Sequence, residues 1–144
     1  MGRILVIEHE GDAGLGLVGE RLRELGMDLR VVGPATGVAV PTTLDGADGL
    51  IVLGGSMGPN EDDRAPWLPA TRALLRSAVE QDLPTLGICL GAQLLTAATG
   101  GRVHEMPQGP EVGLNAVRFA EEAAADPLFG GLSERENLTS SPSL

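Results

Sequence analysis

The sequence predicts an α/β fold: a doubly wound, mostly parallel open sheet with helices on its faces. Three observations carry the prediction. Short, nearly unbroken apolar runs recur along the chain, segments with apolar residues three and four apart stand between them, and glycine or proline punctuates the joints. Strands that alternate with helices in this way build parallel βαβ units.

Residues 3–8 contain Ile4-Leu5-Val6-Ile7 between polar neighbours, as in a strand buried on both faces. Leu15, Val18, Leu22 and Leu25 then fall at helical spacing, with Glu20, Arg21, Arg23 and Glu24 between them, and Gly26 stops the helix. A strand over 29–32 and a Gly/Pro-rich loop follow. The next strand, Leu50-Ile51-Val52-Leu53, runs directly into Gly54-Gly55-Ser56-Met57-Gly58 and a group of acids. A second helix starts at Pro66 or Pro69 and reaches Gln81, because proline suits a first turn. Residues 84–88 form another buried strand, and 90–99 a helix closed by Gly100-Gly101.

Beyond Gly101 the pattern loosens. Residues 102–105 and 114–119 read as strands around the loop MPQGPEVG, 127–132 as a short turn, and 133–144 as a disordered or unrelated tail. With no internal repeat and no linker, 1–132 reads as one domain.

The bulk numbers narrow the function. A 144-residue chain with 42% hydrophobic and 21% charged residues is an ordinary globular mixture able to bury a core. Its net charge of −10 disfavours nucleic acid and anionic membranes as partners. No stretch approaches the roughly 20 apolar residues of a membrane span, and the N-terminus does not read as a signal peptide. One cysteine forms no internal disulfide, which suits a reducing compartment, and the expected location is the cytoplasm. The chain has no lysine, which excludes a protein-borne Schiff base. No metal and no cofactor is expected.

That cysteine, Cys89, stands between Gly87 and Gly91 where a predicted strand meets a predicted helix. A sharp strand-to-helix turn needs small neighbours and lifts the side chain to the carboxyl edge of the sheet. The positive end of the helix dipole favours a thiolate there, and the Leu90 N–H faces the same space and can donate to an oxyanion. A buried structural thiol is the competing reading, and the flanking glycines weigh against it. The glycine pair Gly54-Gly55 ends the neighbouring strand at the same edge, where backbone amides approach ligands in open α/β sheets.

Gly87-Ile88-Cys89-Leu90-Gly91-Ala92-Gln93 resembles the cysteine signature of the class I, triad-type glutamine amidotransferases, and Gly54-Gly55-Ser56-Met57-Gly58 resembles their glycine-rich oxyanion loop. The loop variant is similar to that of stand-alone, GMP synthase-like members. The likeness runs from Arg3 to about Leu132. It implies a flavodoxin-like sheet, here incomplete at the C-terminus, and Cys89 as the nucleophile on the side-chain amide of glutamine. It further implies the Gly55 and Leu90 amides as oxyanion donors and Gln93 as a substrate-binding residue. The reaction implied is hydrolysis of glutamine to glutamate and ammonia through a γ-glutamyl thioester. A separate synthetase or acceptor protein is the implied partner.

The family also carries a His-x-Glu pair well downstream of the cysteine. This chain has His9 and His104 alone, and neither is followed two places on by Glu. Activity is therefore expected to be impaired, as in a C-terminally truncated member. His9, Glu10 and His104 stay open as substitutes for the missing base. A γ-glutamyl hydrolase or DJ-1-like cysteine hydrolase, and a non-catalytic binding module, stay open as alternatives.

Overall fold

The computed structural model of the chain describes residues 1–133, which divide into two units, Met1–His104 and one that begins at Glu105. Apart from Ser133, the expected tail over 133–144 lies outside the described residues.

In the first unit, β1 (Arg3–Ile7), β2 (Asp28–Val32), β3 (Gly49–Val52) and β4 (Thr85–Gly87) form one sheet in the order β2-β1-β3-β4. Every pairing is parallel, with Val6 opposite both Val31 and Ile51. This is the flavodoxin-like order, and it reverses direction between β1 and β3. Three helices follow their strands: α1 (Gly16–Glu24), α2 (Leu68–Glu80) and α3 (Leu90–Ala98).

Alternation along the strands builds a core on each side of the sheet. Leu5, Ile7, Leu50 and Val52 pack with Leu68, Leu74 and Leu75 of α2 and with Leu90 and Leu94 of α3. Val6, Ile51 and Leu53 face the other way, against Leu15 and Leu22. Each such side chain, fully buried, stabilises the fold by about 1.5–3 kcal/mol. The apolar runs are continuous because both faces are covered.

All three helices end in the same way. The chain turns through a left-handed residue, Gly26, Asp82 or Gly100, and the next amide reaches back into the helix. The bonds are Met27 N–H to Leu22 O at 3.0 Å, Leu83 N–H to Ala78 O at 2.9 Å and Gly101 N–H to Thr96 O at 2.9 Å. Asp82 holds this position without glycine, at φ 53°.

The predicted stripe on α1 is narrower than expected. Leu22 packs on the sheet, but Val18 and Leu25 are exposed, and Gly19, covered by the Leu15 and Arg23 side chains, is the helix's one buried residue. A larger correction concerns 102–105 and 114–119, neither of which is a strand. A strand needs a neighbour to take its backbone groups, and among the described residues none pairs with either segment. Val112, Leu114 and Val117 accordingly stand in solvent.

The second unit holds a 3₁₀ helix (Glu121–Ala125) and a short helix, α4 (Gly130–Ser133). Between them Asp126 Oδ1 accepts the Leu128 and Phe129 amides at 2.7 and 3.0 Å, which fixes the expected turn near Pro127. No helix among the described residues is long and apolar enough to cross a membrane.

Candidate active site

The carboxyl ends of β1, β3 and β4 lead into three short segments, His9-Glu10, Gly54–Gly58 and Ile88-Cys89. They lie at the crevice where the strand order reverses, the usual ligand position in such sheets.

Cys89 adopts φ 55°, ψ −113° between β4 and α3. A residue with a Cβ rarely takes this conformation, which costs on the order of 1–3 kcal/mol. The thiol is exposed, and among the described residues it makes no hydrogen bond. Steric fit holds the turn in place. A Cβ on Gly91 would lie 1.9 Å from the Val52 carbonyl oxygen, and one on Gly87 would lie 2.7 Å from the Ala92 nitrogen. The start of α3 therefore rests directly on the end of β3, closer than any other residue permits. Gln93 is exposed one turn into α3, its amide donating to the Cys89 carbonyl at 3.2 Å.

The glycine loop lies against this turn. A Cβ on Gly54 would sit 3.4 Å from Cys89 Cβ and 4.0 Å from Sγ, and one on Gly55 would sit 3.0 Å from a Leu90 methyl. The structure thus brings Cys89, Leu90 and Gly55 together. Among the described residues, the Gly55 and Leu90 amides donate to no other protein group.

Sequence reasoning missed what holds the loop. Glu10 accepts the Ser56 hydroxyl on Oε1 at 2.5 Å and the Ser56 amide on Oε2 at 3.0 Å. The Ser56 hydroxyl above all, with the Ser56 amide and then the charges of Arg64 and His9, holds the Glu10 carboxyl below its usual range, against desolvation that pulls the other way. Glu61 accepts the Gly58 amide at 2.7 Å, and Arg64 donates to both Glu61 (3.3 Å) and the Ser56 hydroxyl (3.0 Å). Arg72 grips Asp62 through two bonds, at 2.8 and 2.7 Å, and also donates to the Pro59 carbonyl at 2.8 Å. Two of the acids after the glycines, Glu61 and Asp62, are thus engaged in shaping their own loop. A Glu at the end of the first strand and Arg residues after the acids were visible signals, but only the tertiary contact pairs them.

His9 is buried, and its Nδ1 accepts the Trp67 indole N–H at 2.9 Å. That bond places the imidazole proton on Nε2, which is buried without a partner among the described residues. Burial holds its pKa below the ordinary value, with Glu10 pulling more weakly the other way. Neither His9 nor Glu10 is hydrogen-bonded to Cys89. His104 lies beyond α3 on non-strand chain, beside Asn60, Ala97 and Gly101. The described residues form no cluster fit for a metal ion.

Fold and site together define a flavodoxin-like α/β protein with an exposed cysteine on a strand-to-helix turn. The family model "glutamine amidotransferase class-I" matches residues 11–139, and the chain belongs to that family. It is 34% identical over 141 residues to a glutamine-hydrolyzing GMP synthase subunit of Natronomonas pharaonis, covering 98% of this chain and 66% of the relative. The HisH subunit of imidazole glycerol phosphate synthase from Symbiobacterium thermophilum is also 34% identical, covering 92% of this chain and 64% of that protein. Among solved structures, a glutamine amidotransferase from Thermotoga maritima superposes with a TM-score of 0.71 at 29% identity, covering 78% of this chain and 49% of its own. The chain spans about two thirds of the length of these curated relatives.

Proposed function

We propose that this chain carries the nucleophile half of a cysteine-dependent glutaminase. The observation that carries the reading is the Cys89 turn: an exposed thiol at the N-terminus of α3, in a backbone conformation that only close packing maintains, with two free amides beside it. The thiolate sulfur attacks the side-chain carbonyl carbon of glutamine, and a C–S bond forms. The carbonyl oxygen becomes an oxyanion that the Gly55 and Leu90 amides stabilise in place of water. The intermediate collapses with loss of the C–N bond, the departing nitrogen takes a proton and leaves as ammonia, and water later cleaves the thioester to glutamate. Gln93, one turn into the helix, binds the amino-acid portion of the substrate.

Both proton transfers need an acid–base group, and such a group contributes about 10²–10⁴-fold in rate. Within 1–133 no histidine bonds to Cys89: His9 is occupied by Trp67. We therefore propose that the chain alone forms covalent adducts but turns glutamine over slowly. The His-x-Glu pair that the family resemblance calls for would come from outside residues 1–133. A separate protein that consumes ammonia is the proposed partner, as the names of the relatives, themselves subunits of synthases, suggest.

The test uses a chloromethyl ketone analogue of glutamine, in which the Cys89 sulfur displaces chloride. Stoichiometric labelling of Cys89, faster than with iodoacetamide, is expected alongside ammonia release close to background. Labelling with no preference for the glutamine skeleton would remove the assignment. Rapid ammonia release that Cys89→Ala abolishes would remove the claim of low turnover.

A further inference from the structure

Two adjacent glycines form the part of the loop that lies against Cys89, and glycine has more backbone freedom to lose than any other residue. An oxyanion donor is useful only if its N–H direction is fixed before the charge develops. Something must therefore hold Gly54-Gly55 still, and packing does so only in part: Met57, Leu90 and His9 crowd Gly55, but both glycines are half-buried and Ser56 is exposed. The hydrogen bonds that hold the segment are polar side-chain contacts.

Glu10 crosses from the end of the central strand to the loop 46 residues later, and both its oxygens go to one residue. Accepting the Ser56 amide fixes the plane of the Gly55–Ser56 peptide, the neighbour of the plane that carries the Gly55 N–H. Accepting the hydroxyl as well prevents rotation about a single bond, which narrows the φ and ψ open to Gly55. The base of the clasp is rigid, because Ile7 is fully buried and its carbonyl takes the Leu53 amide at 3.0 Å. Arg64 braces the far side, joining the Ser56 hydroxyl to Glu61, which in turn holds Gly58. The loop is thus pinned on both sides of Met57, whose own side chain is buried.

We propose that Glu10 is a positioning residue for the oxyanion site, orienting the Gly55 amide through Ser56. This rests on the glutaminase reading above for its purpose, but not for its physical content. A carboxylate suits the task better than an amide, because Ser56 presents two donors to it. Glutamine would offer one acceptor oxygen and turn an N–H₂ toward the other donor.

The experiment compares the wild-type chain with Glu10→Gln and Ser56→Ala. Amide hydrogen exchange within 54–58 is expected to quicken about tenfold in Glu10→Gln and less in Ser56→Ala, which keeps the amide bond. Exchange within 87–95 is expected to stay unchanged. Labelling of Cys89 by the chloromethyl ketone is expected to slow about tenfold in Glu10→Gln, a fraction of what losing a whole oxyanion donor costs. Labelling by iodoacetamide, which needs no oxyanion site, is expected to change by less than about twofold. A loss of folding would also quicken exchange within 87–95, which separates it from a loosened loop. Unchanged exchange, or equal slowing of the two reagents, overturns the positioning role. A wild-type chain with no preference for the chloromethyl ketone overturns the glutaminase reading, and the purpose of the clasp with it, whatever the exchange shows.

Discussion

The two halves of the site are held by different physics. The Cys89 turn is fixed by shape: Gly91 sits against the Val52 carbonyl, Leu90 and Leu94 are buried, and no charge takes part. The facing loop is fixed by charge, through Glu10, Glu61 and Arg64, all at least partly in solvent. Steric constraints of the first kind respond to volume and hardly to salt or pH. Charge-assisted hydrogen bonds of the second kind weaken with ionic strength and protonation. The site therefore joins a rigid half to a tunable one.

Gly91→Ala offers the most severe way to break the rigid half. Its Cβ would fall 1.9 Å from a backbone oxygen that belongs to the sheet, so one element must move. A destabilisation of about 3 kcal/mol, the upper end for overpacking, is expected in urea denaturation. A loss under about 1 kcal/mol, the lower end of that range, would mean that α3 is free to slide on β3.

Cys89→Gly works in the opposite direction. Glycine accepts φ 55° without penalty, so the variant is expected to be more stable by about 1 kcal/mol while losing all covalent labelling. Equal stability would show that the turn is not strained.

The tunable half is expected to show a smaller, pH-dependent effect through His9, whose Cβ lies beneath Gly55. Its folded pKa is lowered by burial, so below about pH 6.5 the unfolded chain takes up a proton that the folded chain does not. Stability then falls as the pH drops from that point through the folded value. His9→Gln, which keeps an acceptor for Trp67, is expected to flatten the denaturation midpoint between about pH 6.5 and pH 5. A slope identical to wild type would contradict a neutral His9.

The same division explains what could be read in the sequence. The four strands and three helices were legible because apolar spacing is a local signal. The runs of β1 and β3 marked burial on both faces, whereas β4, expected to be buried, is half-buried at the end of the sheet order. Cys89 with its two glycines was legible for the same reason, since the sharp turn is encoded within five residues. The clasp was not, because Glu10 and Ser56 meet only after β1 and β3 pair. The acids after Gly58 read as a polar loop, and nothing local said that Arg64 and Arg72 would answer two of them. The strands assigned to 102–105 and 114–119 failed from the opposite error. Alternating apolar residues suggest a strand, but only a hydrogen-bonded neighbour makes one.

The torsion at Cys89 also bears on how this sequence persists. Random substitution at this codon samples glycine, and glycine would relieve the backbone. Drift unopposed by any need for sulfur would favour a change that firms the fold while erasing the thiol. The cysteine stands where folding stability alone gives it no support. Under the proposed nucleophile role the demand falls on the sulfur itself, and the codon is then expected to resist change to glycine when related sequences are compared.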